Sequence, residues 1–242
     1  MNDLTSEAGV LVREDTARIE WDLQRAFARE STRLFGDRGR EIVTAGVASQ
    51  HVFQLKCGLA CRQRPLPEGQ AILDLYLPGD FIDLDSLFFA PPLDTVLALT
   101  PVNYWALDHP ALNRLMREPR IALQLMRQMA EERRRLDTIA ILMGKLKAPE
   151  RTAALLLLLL RRLKPASCDV ATGENQASAS LPLTQQQLAD YLGLNTIYLN
   201  RTLGALRKSG ALRFRKGTII IKDVRQLRRI AAWAHRFLAQ PA

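Results

Sequence analysis

"LTQQQLADYLGLNTIYLNRTLGALRKSGALRFRKGTIII", residues 183–221, decides the fold. Thr184 and Gln187 form a capping box, in which each side chain satisfies a backbone group of the other at a helix start. The helix that follows, "TQQQLADYL", places the small Ala189 four residues before Gly193. A small residue lets a second helix cross closely, and glycine can take the positive φ of a tight turn. Asn195 can cap that second helix. Leu188, Leu192, Leu194 and Leu199 are spaced to hold the pair together, although Thr202 stands where such pairs usually carry an aliphatic residue. "LRFRKGTIII" then predicts two strands around Lys216-Gly217. Cap, small residue, glycine and basic wing, in that order, read as a winged helix-turn-helix.

The charge is distributed to match. The 242 residues carry a formal net charge of +9. Residues 195–242 hold 11 Lys/Arg and one acid, Asp223, a net of +10, whereas residues 1–100 hold 10 Lys/Arg and 15 Asp/Glu, a net of −5. A module suited to a polyanion is joined to one that does something else. The apolar run Ala153 to Leu160 is far short of the roughly 20 residues that span a bilayer, so no membrane span is expected. "MNDLTSEAGV" lacks the basic start and apolar core of a signal peptide. Three cysteines make no disulfide framework. The expected location is the cytoplasm.

Working back from the basic module, "LPL" (181–183) predicts a short strand, and 166–180 a loop or hairpin. Residues 149–164 predict a helix with Pro149 near its start. Residues 110 to about 143 read as one long helix with Pro119 near a helix start. Within it Leu125, Met129, Glu132, Leu136, Ile139 and Met143 step by 4, 3, 4, 3 and 4, a short heptad seam favouring a dimer interface over packing within the chain. Residues 40 to about 108 predict short strands. In "FQLKCGLAC", Phe53, Leu55, Cys57, Leu59 and Cys61 alternate onto one face. Pro67-Glu68-Gly69 and Pro78-Gly79-Asp80 read as turns around "AILDLYL", and "TVLALTPVNYWAL" continues the strands. Residues 11–35 look helical, with Ile19, Leu23, Ala26 and Phe27 on one side.

Taken together, the chain resembles the Crp/Fnr-type bacterial transcription regulators over about residues 40–235. The likeness is carried by "LPGDFIDLDSLF" (77–88), the long helix after it, and most specifically by residues 183–221. The resemblance implies an α+β fold. Residues 1–108 would form a jelly-roll (double-stranded β-helix) sensory domain of the cyclic-nucleotide-binding type. Residues 109–147 would supply a dimerisation helix and hinge through Leu125, Met129, Leu136, Ile139 and Met143. Residues 148–242 would form the winged helix-turn-helix. It also implies a homodimer on twofold-related double-stranded DNA, one recognition helix in each of two successive major grooves, and admits RNA polymerase as a further partner. The base-reading places of such regulators fall on Ile197, Asn200 and Arg201, with Thr196 beside them. Arg201 can fork onto a guanine, Asn200 can pair with adenine, and Ile197, in place of the family's glutamate, can press on a thymine methyl. Thr184 and Gln186, with Arg215 and Lys216 in the wing, fall where the family holds phosphates.

The β module departs from the family's effector binders. Their Gly-Glu ribose pair falls on Asp83-Leu84, and their Arg-Ser phosphate pair near Pro92-Leu93. From Gln63 to Asn113 the only cation is Arg64, against Asp74, Asp80, Asp83, Asp85 and Asp94. A phosphate without a cation would be repelled there, so cyclic AMP is not expected. An iron–sulfur cluster takes four thiolates, and only Cys57, Cys61 and Cys168 exist, the first two reading as core thiols. His51, His109 and His235 are isolated, which argues against a metal site and leaves haem open. No cofactor and no catalysis are expected. A β-roll enzyme with a basic anchor lacks its ligand cluster. The same fold working without a small effector, and a DNA binder without sequence preference, stay as alternatives.

Overall fold

The computed structural model describes residues 23–67, 69–162, 172–173, 176–177, 180–215, 218–231 and 234. Residues 23–30 are helical (α1). The strands are β1 (Thr32–Gly36), β2 (Glu41–Val43), β3 (His51–Cys57), β4 (Ala60–Leu66), β5 (Gly69–Tyr76), β6 (Phe81–Ile82), β7 (Thr95–Ala98) and β8 (Val102–Asp108). They form two antiparallel four-stranded sheets, β1-β8-β3-β6 and β2-β7-β4-β5. Val43, Phe53, Leu55, Tyr76, Val96, Val102 and Tyr104, drawn from both sheets, are buried together between them. This is the expected β-roll.

Its details differ from two expectations. Helix over 11–35 is too long at its C-terminal end, because residues 32–36 pair with β8 from Thr32↔Ala106 to Gly36↔Val102; Ile19 lies outside the described residues. The run 53–61 is not one strand. Gly58 takes φ +90°, and a Cβ there would sit 2.3 Å from the Pro101 carbonyl oxygen, so the chain turns tightly between β3 and β4. Phe53 and Leu55 then point into the sandwich, while Leu59 and Cys61 join a different cluster on the outer face of the second sheet. The turn at Pro67 is as predicted, with Leu66 opposite Gly69, and Gly79 takes φ +100° in the next.

The predicted helix over 110–143 is two. α2 (His109–Leu115) ends before Glu118, whose extended backbone (ψ 114°) precedes Pro119. Proline's ring disfavours a helical conformation in the residue before it, yet suits a first helical turn. α3 (Pro119–Lys145) starts there. α4 (Ala148–Arg162) follows, then a β9/β10 hairpin (Thr172–Gly173 with Gln176–Ala177). The C-terminal unit comprises β11 (Ser180–Leu181), α5 (Gln185–Leu192), α6 (Thr196–Lys208), β12 (Leu212–Arg215), β13 (Thr218–Ile221) and α7 (Val224–Ile230). Its sheet has the order β11-β13-β12.

The two halves share a core. Leu59, Cys61, Ile72, Leu75, Leu77 and Leu99 on the outer face of the second sheet cluster with Ile139 and Leu142 of α3, the leucines of α4, and Leu188, Leu192, Leu199 and Leu203 of the helix pair. The run "AALLLLLL" is therefore a buried helix, as its length requires. Among the described residues no helix is long and apolar enough to cross a membrane.

Candidate nucleic-acid interface

The helix pair is built as its sequence dictates. Thr184 Oγ1 accepts from the Gln187 backbone N–H at 3.1 Å, and Gln187 Oε1 accepts from the Thr184 N–H at 2.9 Å. Gly193 takes φ +60° between the helices, and Asn195 Oδ1 caps α6 by accepting from the Tyr198 N–H at 2.7 Å. Ala189 is fully buried at the crossing. Thr202 is also buried, but its hydroxyl donates to the Tyr198 carbonyl at 3.0 Å. That bond within the helix accounts for a polar residue at an aliphatic site.

One face of α6 is left to solvent. Ile197 is 70% exposed and Tyr198 47%, an unusual degree of exposure for large apolar groups. Asn200 and Arg201 are exposed beside them. Arg207, Lys208, Arg213, Lys222, Arg225, Arg228 and Arg229 are exposed on the same unit, so its surface is predominantly cationic. The wing is present as β12 and β13, paired from Leu212↔Ile221 to Arg215↔Thr218. Lys216 and the side chain of Arg215 lie outside the described residues.

Two of the expected DNA contacts are engaged elsewhere. Thr196 Oγ1 donates to Gln186 Oε1 at 2.9 Å, and Gln186 Nε2 donates to Asp190 Oδ1 at 2.7 Å. Nothing in the sequence signalled this, because the four-residue step from Gln186 to Asp190 is common on helix surfaces.

The expected α3 seam is divided. Leu125 and Ile139 are only 4% and 8% exposed, packed within their own chain. Glu132 lies 3.7 Å from Arg62 of β4. Met129 is 42% exposed, and Leu136 and Met143 are half-buried. The seam is two interleaved columns: Leu125, Glu132 and Ile139 face the packing of their own chain, and Met129, Leu136 and Met143, about 40° round the helix, lie towards its open side.

The β-roll holds a cavity of about 360 Å³ lined by apolar groups together with Arg62, Arg64, Asp83, Asp85 and Asp94. The sequence window that began at Gln63 missed Arg62, which reaches the cavity from β4. Arg64 is bound by Asp94 at 2.6 Å. Asp83 has φ +66°, is 8% exposed, and keeps one carboxylate oxygen without a partner. Burial and the neighbouring Asp85 push its carboxyl up to about 7. With three carboxylates and both arginines beside acids, this is a poor seat for a phosphate. Cys57 and Cys61 are not joined in a disulfide, and burial pushes the Cys61 thiol up to about 12.

The sequence matches a Crp-like helix-turn-helix domain over residues 150–230 and a cyclic nucleotide-binding domain over residues 36–118. The chain belongs to the Crp/Fnr family. Members of this family are DNA-binding transcription regulators, and both domains occur here in the family's order. The chain is 30% identical over 161 residues to an anaerobic regulatory protein of Pasteurella multocida, a match covering 64% of this chain and 55% of that protein. It thus spans little more than half of that relative. It is 24% identical over 196 residues to the transcriptional activator FnrL of Cereibacter sphaeroides, covering 78% of this chain and 76% of that one. Among solved structures, FixK2 of Bradyrhizobium japonicum superposes with a TM-score of 0.70 at 24% identity, over 84% of this chain and 98% of that one. That likeness supports the Crp/Fnr fold.

Proposed function

We propose that this Crp/Fnr-family chain is a homodimeric, sequence-specific transcription regulator that reads DNA with α6. One observation carries the reading: α6 presents Ile197, Asn200 and Arg201 to solvent from a capped, glycine-turned frame on a cationic surface. Arg201 forks onto a guanine edge, Asn200 meets adenine, and Ile197 packs on a thymine methyl, with Thr196 beside them. Thr184, Gln186, Arg215 and Lys216 hold the phosphates that set the helix in the groove.

The second copy lies along the open side of α3. Ala122, Met126, Met129, Arg133, Leu136, Ala140 and Met143 step by 4, 3, 4, 3, 4 and 3. Met126 is 67% exposed and Met129 42%. This line keeps three of the five expected dimer residues, and leaves Leu125 and Ile139 to the packing of the single chain. The β-roll serves as a sensor frame rather than a cyclic-AMP pocket, and RNA polymerase is the partner that a promoter-bound dimer would meet in the cytoplasm.

Arg201→Ala tests the base reading. A bidentate arginine–guanine pair discriminates by roughly 1–3 kcal/mol. Competition binding at fixed salt is expected to show the preferred site falling about tenfold or more towards the affinity of scrambled DNA. Unchanged discrimination contradicts the assignment.

A further inference from the structure

One strand of the β-roll grips the DNA-binding unit through polar ties. At its start, Gln70 Nε2 donates to Asp190 Oδ2 of α5 at 3.2 Å. Further along, Asp74 is fully buried. Its carboxylate accepts from Arg135 of α3, from Nη2 at 2.7 Å and from Nε, shared between its two oxygens, at 3.0 and 3.3 Å. The Tyr191 hydroxyl of α5 reaches the same carboxylate at 3.4 Å. At the strand's end, Arg162 of α4 donates to the Leu75 carbonyl at 2.9 Å and binds Asp80. Neighbouring residues of α5, Asp190 and Tyr191, are thus both held by β5.

The tie at Gln70 continues into the DNA-contacting residues. Asp190 accepts from Gln70 with one oxygen and from Gln186 with the other, and Gln186 accepts from Thr196. The chain of bonds runs from the β-roll to the first residue of the recognition helix. It occupies Gln186, assigned above to a phosphate, and Thr196, assigned beside the base readers. Gln186 and Asp190 also form one wall of a cleft of about 650 Å³ whose other wall carries Glu41 and Gln70. A phosphate lodged in that cleft would stand near the carboxylates of Glu41 and Asp190, an unfavourable position at short range.

We infer that the Gln70–Asp190–Gln186–Thr196 chain is an autoinhibitory contact. It holds the DNA-binding unit against the β-roll with two DNA-contacting side chains sequestered, and DNA engagement requires it to open. The inference rests on the DNA-binding reading above. It gives the β-roll a means of control that needs no ligand in the cavity between its sheets: whatever shifts β5 shifts α5.

Gln70 is exposed and lies outside the helix-turn-helix, so its variants test the tie without touching a DNA contact. Gln70→Glu sets a carboxylate against Asp190 and opens the tie, whereas Gln70→Lys pairs with Asp190 and closes it. General electrostatics predicts the reverse ranking on DNA, since an added acid repels phosphate and an added lysine attracts it. The full-length proteins are compared by fluorescence anisotropy on one DNA site, with thermal melts to establish that each is folded. The expected result is that Gln70→Glu binds roughly three- to tenfold more tightly than wild type, the range one hydrogen-bonded tie commands, and Gln70→Lys more weakly. Equal affinities, or tighter binding by Gln70→Lys, overturn the inference. If wild type still loses discrimination on Arg201→Ala, only the autoinhibitory contact falls. If none of the folded proteins binds any DNA, the reading beneath it falls as well.

Discussion

Two aspartates of the β-roll, Asp74 and Asp83, are both buried but are placed very differently. Asp74 is met by the planar fork of Arg135, and the arginine's affinity for its proton is raised in return, by Asp74 against the opposing effect of its own burial. At Asp83, burial and the neighbouring Asp85 push the carboxyl up to about 7 from an ordinary 3.8. Between those values the folded chain keeps a proton that the unfolded chain has released. Stability therefore falls as pH rises through that window. Asp83→Asn removes the titrating group while keeping a residue that tolerates a positive φ. Thermal melts across the window are expected to show wild type losing more stability with rising pH than Asp83→Asn, and parallel curves would contradict the assignment. The residue scale was also where sequence reading was weakest. Asp74, Arg135 and Tyr191 come from three separate segments, so no local pattern announces their meeting. Arg201, by contrast, was legible because its place is fixed by the turn before it.

At the scale of elements, local chemistry carried most of the reading. The capping box, Gly193 and Asn195 each satisfy a specific backbone need, so the first helix and the start of the second were placed to the residue. Period-2 alternation failed at residues 53–61 because Gly58 reverses the chain, and apolar residues of two strands fell by coincidence on one parity. The heptad count on α3 merged a line packed within the chain with a more open one. The two lines predict distinct outcomes. Leu125→Ala or Ile139→Ala should cost about 2–5 kcal/mol of folding stability, the range for a buried large-to-small change, and leave self-association unaltered. Met129→Glu with Leu136→Glu should leave the melting temperature of the single chain nearly unchanged and convert a dimer to a monomer in sedimentation. A dimer that survives the paired glutamates contradicts the α3 interface.

Across the whole molecule, the segregation of charge visible in the sequence acquires a physical setting. An acidic β-roll and a cationic DNA-binding unit are joined by a common apolar cluster and by ties from β5 to three helices. With the autoinhibitory contact inferred above, a shift of β5 is passed to α5 and so to the recognition helix, the kind of two-state coupling that a regulator requires. The order of domains was legible from charge and motif, but their docking was not, because the residues of the shared core are each explicable as the core of one half. The central claim is that a symmetric pair of these chains reads sequence with α6. Selection of full-length protein on random double-stranded DNA tests it most directly. The account predicts enrichment of an inverted repeat, with a guanine in each half-site and half-site centres about 10–10.5 base pairs apart or a multiple of that spacing. Bound DNA with no enriched motif, or with a single unpaired half-site, would contradict it.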